Sequence, residues 1–522
     1  MAHDLPRTVA ETSNYLSTSR YEDVLSFIAA IQAIDPDIRV EHFATTNEGR
    51  TLPLLIVGPP GVVDPRSAHA TGLPVVFIMA NIHAGEVEGK EATLMLLRDL
   101  VTTDRKLREK LVILIAPIYN ADGNERISTE HRKTQHGPLN GVGVRENAQG
   151  LDLNRDYMKL ASPEARGLVH NVLDRWDPLL TVDCHTTNGS YHGYQLTYSP
   201  TLNPNADAAI TDFARDTLLP QVREQMRKRH GKETYYYGNF IDQLTPEKGW
   251  YTFDSRPRFG NNYAGLRNRF VILSEAYSYI DFKARVDVTY EFLHEILDAA
   301  ERHGARMQKI AARADSQIRD GKLRANGVRF EIEPWKKNVE ILWERSEQAA
   351  PGAGAPDPET GKGMIVRKGE IVPILMTDYG IFSAKESSDV PFAYVIDAAA
   401  HDAMVNLLTH GIAVETLDRD TKVDLEQFVI NEATHAEHEF QQHHELTLTG
   451  KWKRATETLP AGTFIVRMNQ PLARLAFYLL EPRSDDGLFN WNVFDASLDG
   501  AKIAPVRRIM KSIALPATMQ SR

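Results

Sequence analysis

The chain has 522 residues, 25% of them charged, and a formal net charge of -10. That balance disfavours a nucleic-acid groove or an anionic membrane as partner, and no run of about eighteen apolar residues exists to form a membrane span. One cysteine, Cys184, excludes an intramolecular disulfide, so stability must come from a packed core; the length suits about three domains, although single α/β enzyme domains of some three hundred residues are ordinary.

In chain order, Met1 to Asn14 lacks the charged-then-apolar pattern of a leader peptide. The expected location is cytoplasmic for the chain as given, with periplasmic or secreted as the alternative if a leader was removed. Ser19-x-x-Glu22 reads as a capping box before the amphipathic run Tyr21 to Ile34, which predicts a first helix. Strands are expected at Arg39 to Phe43 and Leu54 to Val57, with Asn47-Glu48-Gly49-Arg50 between them. The apolar run Pro74 to Ala80 predicts a strand that leads into His83-Ala84-Gly85-Glu86 and then a helix over Gly89 to Leu100. An imidazole and a carboxylate three residues apart thus lie at a strand's C-terminal end, where open α/β sheets present ligands.

The strand Leu111 to Pro117 is followed by Asn120-Ala121-Asp122-Gly123 and a polar loop with His131-Arg132-Lys133-Thr134. Next, Leu151-Asp152-Leu153-Asn154-Arg155-Asp156-Tyr157 runs into Ser162-Pro163-Glu164, an N-cap with Pro at the first helical position, and a helix over Pro163 to Trp176. The strand Leu179 to Cys184 delivers His185, the helix Asn205 to Arg229 follows, and the strand Phe270 to Ser274 ends at Glu275. A long helix from about Val288 to Ile318 closes the region. The alternation predicts an α/β fold, a mixed and mostly parallel sheet sandwiched by helices, over 15-320.

Beyond Gly321 come short β-rich runs: Val328 to Ile332, Ile371 to Met376, Phe392 to Ile396, Thr463 to Met468 and Leu475 to Leu480. One helix, Ala398 to His410, ends at Gly411, and Ala349 to Pro356 is a flexible loop by composition. The expectation is a separate accessory β-rich α+β domain over 321-522.

Two His and one Glu from distant strand tips form the ligand set of a catalytic zinc, with a fourth position left for water. Each residue also has a plainer reading. An isolated H-x-x-E is common by chance, and His185 suits a buried strand-end histidine, although Asp183 lies on the same face to orient it as a ligand. Arg155 has an ion pair with Asp152 or Asp156 as its rival, and Glu275 a strand-terminal cap. The loop of Arg132 also holds Arg126, Lys133 and Arg145. A carboxylate just after an apolar strand is poorly solvated, so the pKa of Glu275 should rise and suit it to proton transfer. The polar segment with His435, His438, His443 and His444 reads as a solvated helix or loop rather than a second metal site.

Taken in order, H-x-x-E, N-x-D-G, H-R-K-T, D-L-N-R, D-x-H and strand-Glu resemble the zinc carboxypeptidases of the carboxypeptidase A type, over roughly Ser19 to Ala314. The resemblance implies that His83, Glu86 and His185 hold one Zn2+ per chain. It gives Glu275 the role of general base, Arg132 that of oxyanion donor, and Asn154 and Arg155 the grip on a peptide's C-terminal carboxylate. Tyr263, preferred to Tyr251, matches the tyrosine that closes over substrate. Gly85 departs from relatives that carry an arginine there. The implied activity is removal of C-terminal residues from peptides; the alternatives are an aspartoacylase-type amidohydrolase of N-acyl amino acids and a cell-wall peptide hydrolase. A non-catalytic binding protein is disfavoured because the full residue set is present.

Overall fold

The computed structural model describes residues 5-350, 353-356 and 364-520. Pro351 and Gly352, in the expected flexible loop, lie outside them. Ten strands occupy the first part of the chain: β1 (Arg39–Thr45), β2 (Thr51–Val57), β3 (Val75–Ala80), β4 (Val112–Ala116), β5 (Leu180–Thr187), β6 (Leu196–Ser199), β7 (Thr234–Tyr236), β8 (Asn239–Phe240), β9 (Trp250–Tyr251) and β10 (Phe270–Tyr277). Eight of them form a sheet in the order β1-β2-β4-β3-β5-β10-β6-β7. β4, β3, β5 and β10 run parallel at its centre, while β1, β2 and β6 join antiparallel. Every residue of β3, β4 and β5 is buried, and this is why β3 and β4 read as unbroken apolar runs rather than alternating ones.

The helix Phe282–Arg319 packs on Glu88–Val101, which in turn carries Tyr21–Ile34. The long helix starts where the Asp281 side chain accepts the backbone N–H of Ala284. The helix Tyr21–Ile34 lies where its apolar spacing placed it, although a short helix, Val9–Thr12, precedes it, and its cap is not the expected one. Ser19 donates its backbone N–H and hydroxyl to the Glu91 carboxylate, and the N-terminus is closed instead by the Arg20 N–H bonded to Asp23 Oδ2 at 2.8 Å.

The C-terminal part is β-rich, with one difference of element type. Leu475 to Leu480, expected as a strand, belongs to the helix Ala473–Leu480, whose residues from Leu475 on are all buried. A short run that is apolar all round carries no period to tell strand from helix.

The expected boundary at residue 320 divides the chain at the end of the long helix, but the two parts are not separate in space. β8 and β9 leave the central sheet's region and join a second sheet with Met364–Tyr379 and Lys336–Gln348. There Trp250 pairs with Asp378 and Tyr251 with Tyr379. A seven-stranded sheet contains the long hairpin of Thr421–His435 and Leu446–Leu459. Core residues of both parts, among them Val76, Tyr263, Leu407 and Phe477, belong to one continuous apolar cluster.

Candidate metal centre and active site

The turn after β3 is made by Asn81, whose backbone is left-handed (φ 64°), a conformation asparagine adopts more readily than most side chains. Its buried amide donates to the carbonyls of Ala84 and Glu86, both at 3.3 Å, and holds the turn that presents His83 and Glu86. From the other side, β5 and β10 pair in register with Glu275 opposite His185, so both side chains emerge on one face of the sheet. Both strands are longer than their sequence patterns suggested, and His185 and Glu275 lie within them.

His83, Glu86 and His185 are all buried and offer ligand atoms within 4.8 Å of one another. Among the described residues this is the one such group. His83 Nδ1 is 2.9 Å from Glu86 Oε1, His185 Nδ1 is 3.0 Å from Glu86 Oε2, and the two Nδ1 atoms face each other at 3.3 Å. The outer nitrogens face carboxylates. His83 Nε2 is 2.9 Å from Asp152 Oδ1, and His185 Nε2 lies 3.0 Å from Asp183 Oδ2, at ion-pair distance though not in hydrogen-bond alignment. An ionised carboxylate only accepts, so it favours the tautomer with the proton on Nε2 and turns both Nδ1 lone pairs inward. Two inward imidazole nitrogens and a carboxylate suit a zinc ion held by three protein ligands.

The electrostatics point the same way. Burial opposes ionisation of Glu86, but His83 and Arg132 outweigh it and hold the carboxyl well below its usual range. Burial likewise opposes charge on His185, yet Asp183 and Glu86 raise its pKa well above that of a free imidazole. Loss of solvent raises the Glu275 pKa above the ordinary carboxylate range, with Glu86 and Asp183 adding to the shift and His185 and Arg132 opposing it.

Of the four basic residues in the loop, Arg126 pairs with Glu48 and Lys133 with the exposed Glu130, both away from the centre. Arg132, itself left-handed (φ 50°), donates Nη2 to Glu86 Oε1 at 2.5 Å. Gly85 makes room for it: a Cβ there would meet Arg132 Cγ and the Gly143 carbonyl, each at 3.0 Å. Arg145 comes in as well, with Nε 2.9 Å from Asp152 Oδ2 and Nη1 3.7 Å from Glu86 Oε1.

Asn154 accepts the Gly260 N–H on Oδ1 at 3.0 Å, and the Arg155 guanidinium lies 4.0 Å above the Phe259 ring. Asp156 is no rival for Arg155, since it bonds Lys159 and the N–H groups of Ala161 and Ser162. Asp152 is 3.8 Å from Arg155, but its short contacts go to His83 and Arg145.

Tyr263 does not fit its expected role. It is fully buried in the helix Gly260–Leu266, its hydroxyl is bonded to His410 Nδ1 at 2.8 Å, and its ring packs against Tyr157, so it is interior structure and cannot close over a substrate. The Asn120-x-Asp122-Gly123 motif is also structural. Asn120 Oδ1 caps Gly123 N, and the Asp122 carboxylate binds Thr46 and Arg50, tying down the 46-50 turn. The histidines of 435-444 sit at a hairpin end, where His435 meets Asp495, His443 meets Asn492 and His444 meets the Ala436 carbonyl. Asn81, the turn-former, and Asp152, as partner of His83, are contributions that sequence reasoning missed; only the D-L-N-R context pointed toward Asp152.

Comparison with known proteins agrees with this geometry. Residues 24-254 match the family described as zinc carboxypeptidase. The chain is 24% identical to "Probable carboxypeptidase 2" of Arthroderma benhamiae over 84% of this chain and 79% of that protein. It is 31% identical to the "Carboxypeptidase N catalytic chain" of Homo sapiens over 27% of this chain and 31% of that one. Among solved structures, carboxypeptidase A of Helicoverpa armigera matches with a TM-score of 0.40 and 19% identity, covering 56% of this chain and 74% of that one. No helix of the described residues is long and apolar enough to cross a membrane. Residues 24-254 thus match the zinc carboxypeptidase family, and on that match and its carboxypeptidase relatives the protein is a zinc metallopeptidase.

Proposed function

We propose that the enzyme removes C-terminal residues from peptides, with one zinc held by His83, Glu86 and His185 and Glu275 as general base. The observation that carries this reading is the convergence of the two inward Nδ1 atoms and the Glu86 carboxylate, beside Glu275 on the adjacent strand. When bound, zinc supplies Lewis acidity, which brings the pKa of a coordinated water to roughly 7. Glu275, partly exposed and poorly solvated, takes a proton from the attacking water and passes it to the leaving amine nitrogen. Arg132 donates to the oxygen that gains charge at the scissile carbonyl, a contribution worth about 3 kcal/mol in the barrier. Arg155, backed by the Phe259 ring, receives the substrate carboxylate with its planar fork, and Asn154 lies next to it.

The test sets blocked dipeptides against N-acetyl amino acids, with and without a chelator. Peptide cleavage lost on chelation and restored by zinc is expected. Activity that survives metal removal rejects the proposal, and a preference for N-acetyl amino acids replaces it with the amidohydrolase reading. Arg155→Ala should raise KM about 100-fold for free-acid substrates, the effect of losing a charge-assisted contact, and leave C-terminal amides nearly unchanged.

A further inference from the structure

The hairpin formed by Thr421–His435 and Leu446–Leu459 ends in a turn that reaches the loop around Asp152. Gln441 and Gln442, at that turn, are both left-handed (φ 53° and 65°), an unfavourable backbone state for residues with side chains. Both use it to bond the catalytic part of the chain. Gln441 Oε1 accepts the Asp152 N–H at 2.8 Å, and Gln442 Nε2 donates to the Gln149 carbonyl at 2.6 Å. Asp152 is the residue whose carboxylate faces His83 Nε2.

A second link runs beside the first. Arg258 is 2% exposed, and its N–H and Nε both donate to Asp486, with Glu445 and Asn490 taking the guanidinium's other end. The rings of Trp491 and Phe440 flank that guanidinium at 4.6 and 5.2 Å. The next two residues are Phe259, which backs Arg155, and Gly260, which bonds Asn154.

We propose that the C-terminal part of the chain positions the active site through two contacts: Gln441 sets the Asp152 loop and with it the metal ligand His83, and Asp486 sets Arg258 and with it the Asn154–Arg155 pair. The inference rests on the metallopeptidase reading above. Gln441 and Asp486 are positioning residues, and their contacts act on different observables. A ligand's outer partner tunes metal affinity, whereas the Arg258 segment governs recognition of the substrate carboxylate.

The experiment uses the full chain. Gln441→Met keeps the side chain's length but removes the acceptor; Gln441→Glu keeps an acceptor oxygen. Zinc affinity is read by chelator competition, and kcat and KM are read on a free-acid peptide and its amide. Gln441→Met should bind zinc about ten-fold more weakly, and Gln441→Glu should recover most of the loss. Asp486→Asn should raise KM for the free acid about ten-fold with zinc affinity unchanged. A lower melting temperature in Gln441→Met with wild-type zinc affinity and KM marks a merely structural contact and overturns the proposal. Should Asp486→Asn fail to fold, the Gln441 pair decides alone. Absence of zinc binding in the wild type instead overturns the metallopeptidase reading, so the two failures are distinguishable.

Discussion

The Glu275 carboxylate has no hydrogen-bonding partner among the described residues and stands next to His185 on a neighbouring strand, so its protonation is set by solvent loss and nearby charge rather than by a fixed donor. Glu275→Gln should lower kcat at least about 1,000-fold while zinc remains bound; retained turnover removes Glu275 from the role of base. In its proposed role as base it must be ionised, so kcat/KM should fall as pH drops and the carboxylate takes up a proton. Stability runs the other way. The folded zinc-free protein binds this proton more tightly than the unfolded chain, so the contribution is full at low pH and is lost as pH rises through the folded-state pKa. Zinc-free Glu275→Gln, which never ionises, should therefore be more stable than wild type in urea at neutral pH; equal stability would show that the carboxylate carries no such cost. At this scale the sequence was most legible where a side chain sits in a short motif beside an apolar strand, as with His83, Glu86 and His185, which the fold brings together, and Glu275 beside them. It was least legible where the partner is remote. Asp152 invites pairing with Arg155 by proximity in sequence, yet its carboxylate reaches His83, and Tyr263 lies in the right stretch of chain but faces the interior.

At the scale of elements, the site depends on how closely the helix Glu88–Val101 lies against β5. Gly89 allows it: a Cβ there would sit 2.5 Å from Cys184 Cβ and 3.1 Å from Ala80 Cβ, next to His185 on one side and to the Glu86 turn on the other. Gly89→Ala should thus destabilise by about 2 kcal/mol through overpacking and weaken zinc binding, measured by denaturant unfolding and chelator competition. Because the clash is between β-carbons, Cys184→Ala should not relieve it, whereas Cys184→Gly should; relief by Cys184→Ala would assign the strain to the sulfur. The central strands and main helices were legible because their burial follows simple periods. Strand ends, the cap of the helix Tyr21–Ile34 and the helix Ala473–Leu480 were not, since each is decided by a tertiary partner such as Glu91 for Ser19.

Taken whole, the two parts of the chain share one continuous apolar core. The composition shift after Gly321 correctly marks a change from α/β to β-rich chain, but composition carries no record of β9 pairing with Met364–Tyr379 or of Arg258 meeting Asp486 across the chain. Other links are as direct. Asn406 donates to the carbonyls of Met158 and Lys159, the Arg267 guanidinium bonds the His410 carbonyl, and Arg474 bonds the Asn205 carbonyl. Cutting the chain after residue 320 would remove the carboxylates and the Trp491 and Phe440 rings that enclose Arg258, and would leave Tyr263 and its neighbours facing water. Fragment 1-320 should therefore be insoluble or lack cooperative unfolding, and the full chain should show a single transition in which tryptophan fluorescence and peptidase activity are lost together. A soluble, zinc-binding fragment with wild-type kcat/KM would instead make the catalytic region autonomous, and would leave the C-terminal contacts no part in holding the site.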